Sequence, residues 1–334
     1  MPIDEAWLNL QTEPAIDAEL PICDPHHHLW DYPKSRYLLD DLLQDIADHN
    51  VCQTVFIECL SMYRKDASTA MAPVGETEFV QAIADRSAGG RNGEKQPVAG
   101  IIGFADLLLG VEVEAVLSAH RAASPNRFRG IRHACSWDES DEIRNSHTKP
   151  PPNLYVDTRF REGFSVLAQQ KMVFDAWLYH PQIYELISLA RAFPEVPIVL
   201  DHVGGPLGIG PYRGKREEVL ELWKKNISEL ATCSNVVVKL GGLSMPICGF
   251  NWHKNERPPT SKELARATAP YILYCIEQFG TDRCMFESNF PVDKVSCSYT
   301  VLWNSFKRIT QAFSAAEKAD LFHDTAVKTY SLSA

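Results

Sequence analysis

The chain has no Cys-x-x-Cys pair, no block of Lys and Arg, no Gly-x-Gly-x-x-Gly or Walker-type loop, and no apolar run near the ~18 residues a membrane span needs. The nine cysteines lie singly, at 23, 52, 59, 135, 233, 248, 275, 284 and 297. An odd number of scattered cysteines, several inside apolar runs, reads as free buried thiols in a reducing compartment, which predicts a cytoplasmic protein. With 33 basic against 43 acidic residues the net charge is −10, so the basic footprint of a nucleic-acid binder is missing. The start, Met-Pro-Ile-Asp-Glu, has no charged segment followed by an apolar one, so no signal peptide is expected. The expected partner is a small-molecule substrate rather than a nucleic acid or a membrane. A homo-oligomer stays open.

What the 334 residues do contain is a regular alternation. Short β-branched or aromatic runs occur near 22–24, 54–59, 98–104, 130–133, 173–177, 198–202, 236–240 and 284–286. Each is too short for a stable helix and reads as a strand. Amphipathic stretches near 38–49, 76–88, 111–122, 157–170, 181–193, 215–232, 261–279 and 299–312 read as helices. Eight strands alternating with eight helices predict one α/β domain over 21–334, a (β/α)8 barrel, with 1–20 as an N-terminal arm. An open doubly wound sheet is the alternative. Residues 134–156 and 241–260 are long aromatic-containing loops, expected to form a lid or pocket wall. The Gly-rich 89–96 reads as a solvated turn.

The first strand ends in Asp24-Pro25-His26-His27-His28. Strand alternation puts Asp24, His26 and His28 on one face and turns His27 away. Two imidazoles side by side hold a divalent metal, or polarise a carbonyl and move protons. A barrel builds its site where strands end, and other chemistry-bearing residues fall there: Glu58, Arg132 and His133, Asp175, Trp177 and His180, Asp201-His202, then Glu287, Asn289 and Asp293. Arg132 offers a fork for a substrate carboxylate. Glu58, His133, Trp177 and His180 are candidate pocket residues, as is Trp252 from the second long loop. By alternation Asp201 faces away from His202. Lys239, inside an apolar run, needs a carboxylate partner, with Glu58 one candidate.

Asp24-Pro25-His26-His27-His28, Val199-Leu200-Asp201-His202-Val203-Gly204 and Met285-Phe286-Glu287-Ser288-Asn289-Phe290-Pro291-Val292-Asp293 occur in that order. Together they resemble the amidohydrolase-related proteins, in the subgroup of 2-pyrone-4,6-dicarboxylate lactonase and L-fuconolactonase. The resemblance spans about residues 20–332. It implies a distorted (β/α)8 barrel of the metal-dependent hydrolase type and hydrolysis at a carbonyl centre. It also implies one divalent metal (Zn or Mn) on His26 and His28, with no third ligand identified, or none, as in metal-free lactonases. The chain departs from the pattern at Asn289, where relatives commonly carry the aspartate that accepts a proton from the attacking water. A neutral amide is no base. It orients water or substrate, and the base is then His202, Glu58 or Asp293. The fifth-strand metal histidine has no match in register, His180 being nearest.

These residues point to a hydrolase that opens a small polar or aromatic-derived lactone, with His26, His28, His202 and Asn289 as catalytic candidates. A metal-dependent aromatic-acid decarboxylase and a non-catalytic binding protein on a degenerate barrel are the alternatives.

Overall fold

Eight short runs of mostly branched and aromatic residues form the strands: β1 Ile22–His27, β2 Val51–Ile57, β3 Gln96–Gly103, β4 Phe128–Arg132, β5 Val173–Ala176, β6 Ile198–Leu200, β7 Val236–Leu240 and β8 Cys284–Phe286. This computed structural model describes residues 3–88 and 95–333; residues 89–94 of the expected turn lie outside them. The strands are parallel and pair in sequence order from β1 to β8. Buried on both faces, they read as continuous apolar runs rather than alternating ones. The seam between β8 and β1 is closed just beyond β8, where the Asn289 N–H donates to the His26 carbonyl (2.9 Å) and the His28 N–H to that of Phe290 (2.8 Å). This is the (β/α)8 barrel the alternation predicts.

The surrounding helices are α1 Leu39–Asp45, α2 Val74–Ala88, α3 Val113–Ala123, α4 Thr158–Gln169, α5 Ile183–Ala192, α6 Arg216–Ala231, α7 Ser261–Phe279 and α8 Tyr299–Ile309. Their starts carry the expected chemistry. Asp157 and Ser298 accept from backbone N–H groups of the first turns of α4 and α8, and Thr260 with Glu263 makes a reciprocal cap on α7. No helix among the described residues is long and apolar enough to cross a membrane.

Two features fall outside the sequence reading. A small hairpin, Trp30–Tyr32 with Ser35–Tyr37, follows β1 and stacks Trp30 on His28. After α8 the chain makes a π-helical turn, Asp320–Asp324, and sends Ala326, Tyr330 and Leu332 into the cluster formed by Cys23, Val55, Ile57, Ile102, Val173, Val199 and Met285. These strand residues alternate with those that pack toward the helices, so the cluster fills the barrel and the C-terminal segment forms its floor. Residues 3–20 lie along α7 and α8, held by Glu13 on the Ser261 N–H (2.8 Å) and by Asn304 on the Ile16 N–H (2.7 Å).

Candidate active site

Above that apolar layer the same inward positions turn polar. Val173 is followed by Asp175, Val199 by Asp201, Val237 by Lys239 and Met285 by Glu287. Period 2 therefore aims all four at the barrel axis, Asp201 included, against the expectation that Asp201 faces away. Its neighbour His202 still joins it. β6 ends at Leu200, and His202 (φ 56°, ψ 41°) and Val203 (φ 49°, ψ 28°) are left-handed, which swings the imidazole back over the barrel. Room for it comes from Gly241 and Gly242, after β7. A Cβ on Gly242 would stand 2.5 Å from the His202 ring, and one on Gly241 2.4 Å from Glu287 Cγ.

The first strand corrects the alternation in a second way. Its pairing with β2 shifts between Asp24 and His27. Cys23 therefore faces the interior with His26 and His28, while Asp24 lies at the β1–β8 seam and accepts from the Ser288 N–H and the Tyr299 hydroxyl, both at 3.0 Å. His27 turns outward as expected, against Thr54 (2.8 Å) and Phe56.

Glu287 organises the centre. Its Oε1 lies 2.6 Å from His202 Nδ1 and accepts the His202 backbone N–H at 3.0 Å; its Oε2 lies 2.8 Å from His26 Nδ1. For His202 the arrangement assigns the proton to Nδ1 and leaves Nε2 bare. His26 sets Nδ1 beside Glu287 and Lys239 (3.2 Å) and Nε2 beside Arg132 (3.4 Å), so both its nitrogens are engaged. His202 Nε2 stays free. The edge of Trp177 rests against the His202 ring, with centroids 4.7 Å apart. His28 donates Nδ1–H to the Ile57 carbonyl (2.8 Å), which likewise leaves Nε2 as an acceptor. Burial pushes His28 and His202 down to about 3, so both are neutral around pH 7.

Two cations and their carboxylates surround the histidines. Lys239 Nζ contacts Asp175 (2.5 Å), Asp201 (3.0 Å) and His26 Nδ1 (3.2 Å). Arg132 bonds Glu58 (2.8 Å), the Glu58 carbonyl (2.6 Å) and Asp201 (3.2 Å). Glu58 thus pairs with Arg132 and not with Lys239, and Arg132 has its donors committed within the protein rather than held out as a substrate clamp. Against burial, His147 and then Arg132 hold Glu58 at about 2, and Lys239 and then His26 hold Asp201 well below the usual range. Asn289 (φ 54°) gives Nδ2 to Asp293 (3.0 Å), whose other oxygen takes the Ser244 N–H (3.1 Å). Asn289 Oδ1 remains as an acceptor, and Asp293 is absorbed in holding this turn.

Three sequence candidates are placed elsewhere. His133 packs between Phe104 and Phe160 and accepts the Leu107 N–H (3.2 Å), because it follows the inward Arg132 and so points outward. His180, in the turn after β5, accepts the Leu207 N–H (3.3 Å) beside Tyr212. Trp252 stacks on Phe250 and lines a surface recess with Asn255 and Arg257. One residue was missed. His147, from the loop after β4, sets Nε2 2.9 Å from Glu58 Oε2 at the mouth of the barrel. Nothing in its local sequence, Asn-Ser-His-Thr, marks it; only the folded loop brings it there.

The matched family model is the amidohydrolase one, over residues 23–332. The chain belongs to the amidohydrolase family. It is 33% identical to the uncharacterized protein y4mH of Sinorhizobium fredii over 94% of this chain and 99% of that one. It is 25% identical to an L-fucono-1,5-lactonase of Burkholderia multivorans, over 92% and 95%. Among solved structures, a Burkholderia multivorans amidohydrolase with bound zinc superposes with a TM-score of 0.71 at 23% identity, covering 93% of this chain and 99% of that one. A 5-carboxyvanillate decarboxylase from Sphingomonas paucimobilis shares the barrel at 0.56 and 11%, over 94% and 100%.

The donor atoms of His26, His202 and Glu287 lie within 4.8 Å of one another, and His28 is not in that group. The expected His26–His28 pair lies beside it, with ring centroids 5.0 Å apart. The cluster also does not fit a divalent ion as it stands. Both Glu287 oxygens face imidazole Nδ1 atoms, and both His26 nitrogens have a permanent cation within 3.4 Å. A metal on His26 would have to displace Lys239 from Nδ1 or Arg132 from Nε2.

Proposed function

We propose that this chain hydrolyses a small uncharged lactone, with His202 as general base. The observation that carries the reading is Glu287 fixing the Nδ1–H tautomer of His202, so that a bare Nε2 lies in a buried polar centre. Water donates one hydrogen to His202 Nε2 and the other to Asn289 Oδ1. Its oxygen bonds to the lactone carbonyl carbon as His202 takes the proton. Arg132 and Lys239 offset the charge of the surrounding carboxylates, which limits the repulsion the developing oxyanion meets. Collapse breaks the ring C–O bond, and His202 returns the proton to the leaving alkoxide, giving a hydroxy acid. His26, with both nitrogens engaged, positions Glu287 and Arg132. His28 presents an acceptor and serves substrate hydroxyls rather than the oxyanion.

The preference for an uncharged ring rests on charge. Arg132 and Lys239 face Glu58, Asp175, Asp201 and Glu287, so a carboxylated substrate meets no cation free of a carboxylate partner in this cluster. Trp177 offers an apolar wall for a sugar-like ring. The 25% identity to an L-fucono-1,5-lactonase supports the same class. A cytoplasmic setting fits the nine free thiols. The test is a panel of sugar-type lactones and pyrone carboxylates, run on chelator-treated enzyme, with CO₂ release from aromatic acids followed in parallel with added Mn²⁺ or Zn²⁺. Hydrolysis of uncharged lactones without metal is expected, falling by about 10²–10⁴ in His202→Ala. Metal-dependent CO₂ release without lactone opening would establish the decarboxylase instead.

A further inference from the structure

The floor of the barrel touches the chemistry above it through Tyr330. Tyr330, fully buried, donates its hydroxyl hydrogen to Asp175 Oδ2 at 2.9 Å, and its ring lies 5.5 Å from Lys239 Nζ. The same Oδ2 accepts from Lys239, which goes on to Asp201 and His26. Asp175 Oδ1 is buried with no hydrogen-bond partner. Phenylalanine would fill the floor as well as tyrosine does. The hydroxyl is a buried polar group whose placement costs free energy unless it is paired, and here its partner is the carboxylate that anchors Lys239.

We propose that Tyr330 is a positioning residue for the hydrolytic site: the C-terminal segment, through this one hydrogen bond, keeps Asp175 ionised and Lys239 in place beneath His26. The proposal rests on the lactonase reading for its kinetic consequence only. Groups of four elements face Asp175: Lys239 from β7, Asp201 beyond β6, Tyr330 from the floor, and Arg132, its register partner on β4, whose guanidinium is turned to Glu58 and Asp201. Burial pushes the Asp175 carboxyl up to about 7, with Lys239 and Tyr330 pulling it back. The lone Oδ1 is where an added proton goes. Loss of the Tyr330 donor favours that proton, so titration moves to higher pH.

The experiment follows the buried carboxylic-acid C=O band by infrared difference spectroscopy against pH, assigned through its loss in Asp175→Asn. In Tyr330→Phe the midpoint should rise by about one pH unit, the worth of one hydrogen bond to a charged group. Replacing Tyr330 by 3-fluorotyrosine, a stronger donor of nearly the same shape, should move it down. Leu332→Ala, which loosens the same floor without touching the hydrogen bond, should lower the melting temperature and leave the midpoint where it was. With a lactone substrate in hand, Tyr330→Phe should lower kcat with KM little changed and carry the acidic limb of kcat upward by the same amount. If no lactone is opened, the infrared titration still decides the role of Tyr330. An unchanged midpoint in folded Tyr330→Phe and in the fluorotyrosine protein overturns it.

Discussion

Glu287 holds two imidazoles at once, and it does so because two glycines give it and His202 room. Gly242 has φ +66°, a conformation in which any side chain is strained, and its missing Cβ is the space the His202 ring occupies. Gly242→Ala should therefore act on His202 before it acts on the fold. A Cβ at 2.5 Å forces the imidazole off Glu287 by about 1 Å, and a base misplaced by that much costs roughly 10²-fold in kcat. Some loss of melting temperature will accompany it from the positive φ alone. Rates should therefore be measured well below the transition, with the far-UV spectrum checked for an intact barrel. Wild-type kcat in a folded Gly242→Ala protein would show that His202 does not depend on this cradle.

At the scale of elements, the barrel is closed by side chains as much as by strands. Asp24 binds the Ser288 N–H and the Tyr299 hydroxyl, so one carboxylate joins β1, the turn after β8 and α8. Asp24→Ala leaves both donors buried and unpaired, which should cost about 2–4 kcal/mol, read as a lower urea midpoint at unchanged slope. A midpoint within experimental error of wild type would mean that water replaces the carboxylate there. Much of this level was legible in the sequence. Each of the eight runs at 22–286 became a strand, because short β-branched runs buried on both faces have no other use in a chain of this pattern. Strand phase was less legible. The register shift at Asp24 and the left-handed turn at His202 each move a side chain to the other face, and both are made by tertiary pairing that period-2 counting does not contain. Asp201 entered the site and His133 left it by plain alternation, once Val199 and Arg132 are known to face inward, while His180 lies in the turn beyond β5. His147 was beyond reach, since its place depends on loop hydrogen bonds such as Thr148 to the Ala134 carbonyl and Ser146 to that of Ser136.

For the whole molecule, the number of histidines kept neutral inside it sets how stability responds to pH. Burial is the first cause for each. It holds His27, His28 and His202 at about 3, His49, His120, His133 and His180 at about 4, and His26 well below its ordinary value. These eight of the eleven histidines titrate near 6.5 once the chain unfolds. Their contribution is fully present above that pH and is lost as the pH falls, because the unfolded chain then binds protons that the native one refuses. Buried carboxyls act with the opposite sign. Burial raises Asp24 to about 6, Asp175 to about 7, Glu76 to about 8, and Asp293 and Glu287 well above their ordinary values. Their contribution is present below the unfolded carboxyl pKa and fades as pH rises through those native values. Between pH 6.5 and 5 the eight histidines outnumber the five carboxyls, and about two protons of difference give a slope of about 3 kcal/mol per pH unit. Above pH 7 the carboxyl term dominates and stability declines again at a comparable slope, with buried thiols such as Cys23 and Cys135 adding to it as the unfolded thiols ionise. The expected curve of urea midpoint against pH therefore peaks near 6.5 and falls on both sides. At that slope a stability of about 5–15 kcal/mol is exhausted within roughly two to five pH units on the acid limb. Midpoints that stay level or climb from pH 6.5 down to 5 would mean that these imidazoles gain protons without unfolding, and so that the centre around His26 and His202 is wetter than its burial implies.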